Sequence, residues 1–316
     1  MPAEAARASA PPAPAAPGAG RPELLPPQEL LRLGSLELVA RLVVEGYLAG
    51  RHRSPGRGGS LEFAEHRPYV PGDDLRRVDW KVSGRTDRWY VRESEQETNL
   101  RATLVLDASA SMGFASGQLP SKWLYGRALA AALAWLLLGQ QDAVGLATFG
   151  DGLRAFVPPR AGRAQRARLF AALEAEEVGG GTSPEGPFRE LAERLPRRGL
   201  LVLLSDLLGP PERFLPGLRY FRHRKHEVVV FHLLDPAERS LAALPPGEEI
   251  VDAETGRVLH ARPAELARGY GEELETLERT YRDQAHDRGF DWVSVTTDLP
   301  VAAVLGRYLA SRRHRL

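Results

Sequence analysis

The sequence predicts an α/β fold in which helices cover both faces of a doubly wound, mainly parallel sheet, preceded by a helical or irregular N-terminal extension. Two observations predict this fold. After Arg101, short apolar runs alternate with longer segments of helical periodicity, as a parallel sheet between two helical layers requires. The chain also has 316 residues, of which 43% are hydrophobic, so it can bury a large core.

The N-terminal part of the chain divides into two predicted segments. Residues 1–28 are mostly Ala, Pro and Gly, with too few apolar side chains to offset the entropy cost of ordering, which predicts a disordered tail. From Glu29 to Ala49 apolar side chains recur every three or four residues, which predicts an amphipathic helix that ends near Gly50. Residues 29–100 are therefore treated as one segment ahead of a main domain over residues 101–316.

The main domain is predicted to contain five core strands and six helices. The predicted strands are Ala102–Leu106, Ala143–Phe149, Leu200–Leu204, Val228–Leu234 and Trp292–Thr296. The predicted helices are Lys122–Leu138, Arg163–Glu174, Glu185–Arg194, Arg213–Phe221, Ala264–Asp287 and Pro300–Arg312. Residues 153–158 predict an antiparallel edge strand, and residues 249–261 predict a hairpin that turns at Thr255 and Gly256. Ser121 and Ser183 are placed to cap the helices that follow them.

Composition excludes several kinds of site and partner. The 42 Lys and Arg nearly balance the 41 Asp and Glu, and a net charge of +1 gives no global field to concentrate nucleic acid or anionic lipid. The absence of Cys excludes disulfides, thiolate metal sites and cysteine nucleophiles. The most apolar window, Ala128–Gly139, is far shorter than the ~20 residues of a membrane span. Since the N-terminus also lacks a secretory signal, we expect a cytoplasmic chain without a nucleic-acid partner or a membrane span.

Oxygen-bearing side chains occur where two of the predicted strands end and in a Gly-rich loop. Asp107, Ser109 and Ser111 follow one strand, Asp206 follows another, and Thr182 ends the Gly-rich stretch. In a doubly wound sheet the loops at the carboxyl ends of neighbouring strands converge on one crevice. Two carboxylates and three hydroxyls supply only hard oxygen ligands, which suit Mg²⁺ or Mn²⁺ and disfavour zinc or copper. With so few negative charges, such an ion keeps an open position that a carboxylate from a partner protein can fill.

These residues resemble a known type of site. The DxSxS sequence at 107–111, the loop Thr182 and Asp206 resemble the metal-ion-dependent adhesion site of von Willebrand factor A domains. The order of strands and helices over residues 101–316 resembles the Rossmann-like fold of those domains. The resemblance implies that these five residues bind the metal and that the bound ion recruits an acidic side chain.

A longer series of motifs resembles the bacterial domain of unknown function 58 family. The series comprises "SPGRGGSLEFAEHRPYVPGDDLRRVDWKVSGRTDRWYVRESEQE", "LVLDASASMGF", "SKWLYGRALAAALAW", "DAVGLATFGD" and "LLVLLSDLLG". The resemblance implies a metal-dependent protein-interaction module that acts with a MoxR-type AAA+ ATPase, or with its client, in protein maturation or assembly. The sequence has no GxxxxGK[ST] phosphate loop, so any ATP-driven step would depend on the partner.

Three other interpretations use the same sequence features. The DxSxS loop can be a turn whose Asp and Ser side chains cap backbone amides. A metal-dependent hydrolase would use the same cluster to activate a water. Position 109 is Ser where an aspartyl phosphotransferase has a second carboxylate, and no GxSxG occurs, so we expect no enzyme. A metal-free scaffold would bind through Arg67–Trp80, a segment that we interpret instead as a salt-bridged layer joining the N-terminal part to the sheet.

Overall fold

The computed structural model describes residues 24–51, 65–69, 83–84, 89–93, 100–240, 250–254, 256–259 and 263–313. Residues 1–23 of the predicted disordered tail, most of the Arg67–Trp80 segment and the turn residue Thr255 lie outside these residues. Residues 24–28 of the predicted tail are described, and there Leu24 and Leu25 pack against the core. None of the helices in the described part of the chain combines the length and the apolar character that a membrane span needs.

The centre of the molecule is a six-stranded sheet. In chain order the strands are β1 (Glu65–Pro68), β2 (Tyr90–Glu93), β3 (Arg101–Asp107), β4 (Ala143–Phe149), β5 (Leu153–Arg160), β6 (Gly199–Ser205), β7 (His226–Leu234), β8 (Ile250–Val251), β9 (Val258–Leu259) and β10 (Asp291–Thr296). The central sheet has the order β10-β7-β6-β3-β4-β5, and every pair in it is parallel except β4 with β5. Two small antiparallel pairs, β1 with β2 and β8 with β9, lie outside it.

Helices cover both faces of the central sheet. They are α1 (Leu36–Arg51), α2 (Lys122–Gly139), α3 (Arg163–Ala175), α4 (Glu185–Arg194), α5 (Pro211–His223), α6 (Pro236–Arg239), α7 (Pro263–Asp287) and α8 (Val301–Arg313). The side chains of Leu104 and Leu106 pack in one core with α1, α2, α3 and α8, whereas Val105 packs in the other core with α4, α5 and α7. Successive residues of a strand point to opposite faces, so a strand buried on both sides must be apolar throughout.

The five predicted core strands and the antiparallel edge strand are confirmed, with ends that differ by at most two residues. The helix predicted from Glu29 to Ala49 begins later than expected. A short 3-10 helix covers Pro27–Leu31, and α1 starts only after Gly34 and Ser35. Gly is a poor helix former, and the Ser35 hydroxyl accepts a hydrogen bond from the Leu38 amide at 3.4 Å, which favours a helix start at this point.

One of the two predicted helix caps is confirmed. The Ser121 hydroxyl accepts a hydrogen bond from the Leu124 amide at the start of α2, at 3.2 Å. The prediction for Ser183 is wrong, because α4 begins one residue later and Pro184 takes the capping position without a side-chain hydrogen bond. Pro184 lacks an amide hydrogen, so this capping residue has no backbone donor that needs a partner.

Candidate functional site

The loop that follows β3 collects three of the predicted oxygen donors. The Ser109 amide donates a hydrogen bond to Asp107 Oδ1 at 3.0 Å, and Ser109 Oγ lies 3.1 Å from Ser111 Oγ. A 3-10 turn over Ala110–Gly113 bends the backbone so that the two hydroxyls face each other. All three side chains are buried, and those of Asp107 and Ser109 are completely inaccessible to solvent.

The neighbouring strand β6 brings a second carboxylate to the same place. Ser205, the last residue of β6, donates a hydrogen bond from its hydroxyl to Asp107 Oδ2 at 2.6 Å. Burial raises the pKa of Asp107 to about 7, and the negative charge of Asp206 adds to this rise, whereas hydrogen bonds from Ser205 and Ser109 oppose it. Asp107 is therefore a buried carboxyl group, and the hydrogen bonds that it accepts do not fully offset the cost of burying its negative charge.

A buried lysine supplies a positive charge beside the carboxylate of Asp206. Lys122, the first residue of α2, is completely buried, and its Nζ donates to Asp206 Oδ2 at 2.8 Å and to Glu238 Oε1 in α6. Burial alone would lower the pKa of Lys122, but the charges of Asp206 and Glu238 outweigh it and raise that pKa. When all four groups are ionised, the three carboxylates of Asp107, Asp206 and Glu238 face one ammonium group. The cluster then has two negative charges in excess.

His232 in β7 fixes the backbone of Asp206. The ring atom Nε2 lies 2.8 Å from the Asp206 backbone oxygen, and Nδ1 lies 3.2 Å from Glu278 Oε1 in α7. Arg239 donates to the same Glu278 oxygen at 2.8 Å. Burial opposes ionisation of Glu278, but His232 and Arg239 together lower its pKa. The position of Asp206 therefore depends on a charged contact that reaches across to α7.

The Gly-rich loop that carries Thr182 lies against the loop after β3. The Ala110 amide donates to the Gly180 oxygen, and the Gly179 amide donates to the Ala108 oxygen, both at 3.0 Å. These two backbone hydrogen bonds hold the loops side by side. Thr182 is therefore placed next to the segment that contains the two serines.

Arg154 in β5 joins the same two loops. Its guanidinium donates to the backbone oxygens of Ala108 at 3.0 Å and Glu177 at 3.1 Å, and also to that of Gly179. Three carbonyl groups from separate positions of the two loops thus share one planar donor group. Because the guanidinium group is planar and rigid, it fixes both the direction and the length of these hydrogen bonds.

We expect Arg154→Ala to lower the free energy of unfolding by about 1–2 kcal/mol, because it leaves loop carbonyl groups without their donor. Amide hydrogen exchange at Ala110 and Gly179 should accelerate, since the two loops would separate more easily. Arg154→Lys should not restore protection, because an ammonium group cannot reproduce the fork. Arg160→Ala, at an exposed position of the same strand, is the control and should leave exchange at both amides unchanged.

Thr182 itself makes a contact that the sequence did not predict. Its side chain is buried, and its hydroxyl donates to Glu254 Oε1 at 2.7 Å. Glu254 lies between β8 and β9, in the hairpin that the sequence predicts, and Arg213 donates to the Thr182 backbone oxygen. The structure thus joins Asp107, Ser109 and Ser111 through hydrogen bonds and adds Asp206 through its charge. It brings the Thr182 backbone to their loop but engages the Thr182 hydroxyl with Glu254.

Five of the residues of this site that the sequence analysis missed are Ser205, Lys122, Glu238, Arg154 and Glu254. A signal exists for one of them, because only three of the 42 Lys and Arg residues are Lys. A Lys as the first residue of the highly apolar helix α2 departs from this strong preference for Arg. No local pattern indicates the other four.

The donor set fits a hard divalent cation. Among the described residues, no group of three or more His, Asp or Glu side chains is arranged to hold a metal ion, so a cation here would depend on hydroxyl ligands as well. Adjacent ligands of a Mg²⁺ octahedron with bonds of 2.0–2.1 Å lie about 2.9 Å apart. The separation of 3.1 Å between Ser109 Oγ and Ser111 Oγ is close to this value. When Asp107, Asp206 and Glu238 are all ionised, their two excess negative charges also match the charge of such an ion.

The chain is similar to one family model and to several known proteins. The family model described as "Protein of unknown function DUF58" matches residues 65–276. The uncharacterized protein Rv1480 of Mycobacterium tuberculosis is 32% identical over 301 residues, which cover 91% of this chain and 90% of that protein. An aerotolerance-related membrane protein from Bacteroides fragilis aligns with a TM-score of 0.45 at 16% identity, over 69% of this chain and 100% of that structure. The SpRpn10 VWA domain aligns with a TM-score of 0.36 at 12% identity, over 66% and 95%.

The matched region of the family model covers well over half of the chain, and the mycobacterial relative extends over nearly all of it. The mainly parallel six-stranded sheet between two helical layers is the α/β architecture that the motifs predict. The chain therefore belongs to the DUF58 family and has a doubly wound α/β fold.

Proposed function

We propose that this chain is a protein-interaction module that depends on a bound Mg²⁺ or Mn²⁺ ion. The observation that carries the proposal is the cluster of Asp107, Asp206, Glu238 and the buried Lys122 beside a pair of serine hydroxyls, in which the ionised carboxylates exceed the one ammonium group by two negative charges. A buried charge without a counter-charge is costly, and a divalent cation removes that cost.

Each predicted residue has a role in this proposal. Ser109, Ser111 and Thr182 would hold the ion through their hydroxyl oxygens, and Asp107 and Asp206 would contribute directly or through water molecules. The ion would supply a Lewis-acidic position that accepts a carboxylate oxygen. The residues of the chain orient the donors and exclude water from the carboxylates. We assign no catalytic residue, so the chain would act by binding and not as an enzyme.

The proposed partner is a protein that offers an acidic side chain. The family resemblance supports a MoxR-type AAA+ ATPase or its client, with a role in protein maturation or assembly. The proposal places the chain in the cytoplasm, where an ATPase has access to ATP. The resemblance to von Willebrand factor A domains supports the coarser statement that the chain binds protein.

The first test measures stability against the concentration of divalent ion. A cation that binds only the folded protein should raise the free energy of unfolding by about 2.7 kcal/mol at a hundredfold excess over its Kd. Ser111→Ala should weaken this response because it removes one hydroxyl donor. Ser121→Ala, which removes the helix-capping hydroxyl outside the cluster, should lower stability but keep the response.

The second test measures partner capture. The immobilised chain should retain a purified MoxR-type ATPase from the same organism in Mg²⁺ and release it in EDTA. Ser111→Ala should reduce retention in Mg²⁺. Equal retention with and without the metal would contradict the proposal and favour a metal-free binding surface. In the first test, a free energy of unfolding that does not change with Mg²⁺ or Mn²⁺ concentration would also contradict the proposal.

A further inference from the structure

The hairpin formed by β8 and β9 brings a carboxylate to the edge of the candidate metal site. Glu254 Oε1 accepts a hydrogen bond from the Thr182 hydroxyl at 2.7 Å, across 72 positions of the sequence. Neither the motif series nor the DxSxS spacing points to this residue. The contact joins the hairpin directly to one of the predicted metal-binding side chains.

The turn of the hairpin fixes where Glu254 stands. The Glu254 amide donates to Asp252 Oδ1 at 2.9 Å, and the Asp252 amide donates to the Arg257 backbone oxygen at 2.8 Å. Gly256 has φ +69°, a left-handed conformation that glycine adopts without strain. The tip of the hairpin is thus closed by its own hydrogen bonds, which present the Glu254 side chain to Thr182.

The Glu254 side chain is partly exposed and makes few contacts with the rest of the protein. Within the described residues Glu254 forms no salt bridge, and its one side-chain hydrogen bond is the bond to the neutral Thr182 hydroxyl. The hairpin therefore places one further carboxylate against Thr182. A cation bound between Glu254 and the predicted ligands would be stabilised by this carboxylate.

The oxygen pair at Thr182 and the oxygen pair of the two serines both lie near the separation expected for adjacent ligands of one ion. The separation of 2.7 Å between Thr182 Oγ1 and Glu254 Oε1 is near the value of about 2.9 Å expected for adjacent ligands of one Mg²⁺ ion. The two oxygens are already as close as two ligands of the same ion would be.

We propose that Glu254 is an intramolecular ligand of this metal site and occupies the position that a partner's acidic side chain would take. The inference rests on the proposed function, since it requires a bound ion. A partner must then displace the hairpin tip to reach the metal. Only an acidic ligand that binds the ion more tightly than Glu254 does would take this position.

The test uses Mn²⁺ as the probe, with the full chain and its Glu254→Gln variant. Loss of the carboxylate should weaken Mn²⁺ binding about tenfold, measured by calorimetry. The bound Mn²⁺ should gain one exchangeable water, measured by water-proton relaxation. Acetate should bind the Mn²⁺-loaded variant more tightly than the Mn²⁺-loaded wild type, because the position is no longer filled.

The control is Glu185→Gln, which removes an exposed carboxylate three positions after Thr182 that makes no contact with its hydroxyl. It should leave the water count and acetate binding unchanged. If the wild type binds Mn²⁺ and Glu254→Gln has the same affinity, water count and acetate binding, the assignment of Glu254 is wrong while the metal site stands. If the wild type binds no Mn²⁺, the proposed function fails and the inference fails with it.

Discussion

Replacing Lys122 with Met is expected to lower the free energy of unfolding by about 3–5 kcal/mol, because Asp206 and Glu238 would then be buried without their counter-charge. Met retains most of the volume of the lysine stem, so the loss should come from charge and not from a cavity. Burial raises the pKa of Glu238, so the loss should become smaller as the pH falls and that carboxylate takes up a proton. Urea denaturation at several pH values measures both effects.

Lys225 provides a matched control, since it is the other lysine in the described part of the chain and is exposed. Lys225→Met should change stability by no more than about 0.5 kcal/mol. The triple variant Lys122→Met, Asp206→Asn, Glu238→Gln should recover much of the loss, because it removes all three charges together. Similar small effects of Lys122→Met and Lys225→Met would contradict the buried ion pairs.

The sequence predicts the sheet well because each central strand is buried on both faces. A continuous apolar run such as that of β6 between helical segments has few other interpretations. The start of α1 was harder to predict, since apolar spacing continues through Leu33 while Gly34 and Ser35 interrupt the helix. Apolar periodicity indicates which face of a helix is buried, but it does not indicate the residue at which the helix begins.

The part of the site that depends on strand ends could also be predicted. Asp107 and Asp206 follow strands that the fold makes neighbours, so topology alone brings their loops together. The contacts of Lys122 with Glu238 and of Thr182 with Glu254 join segments 116 and 72 positions apart. Such contacts depend on how side chains pack after folding, and nothing in the local sequence specifies them.

Asp107→Asn is expected to stabilise the metal-free protein at pH 8 by about 2–4 kcal/mol and to abolish its response to Mg²⁺. The folded protein raises the pKa of Asp107 to about 7, above the ordinary value of 3.8. The stability that this group contributes is therefore full below pH 3.8 and is lost as the pH rises through 7. Asn keeps the acceptor for the Ser109 amide but carries no charge, so its contribution should not change over this range.

The measurement compares unfolding curves of wild type and Asp107→Asn in EDTA from pH 4 to pH 8. Other titrating groups are common to both proteins, so the difference between the curves isolates the effect of Asp107. The free energy of unfolding of the variant should increase relative to that of the wild type as the pH rises. Mg²⁺ should reverse the order at pH 8, because a cation beside the ionised carboxylate removes the cost that Asn avoids. A wild type that stays more stable than the variant in EDTA at pH 8 would mean that Ser205 and Ser109 already compensate the charge, and the main reason for a metal at this site would be lost.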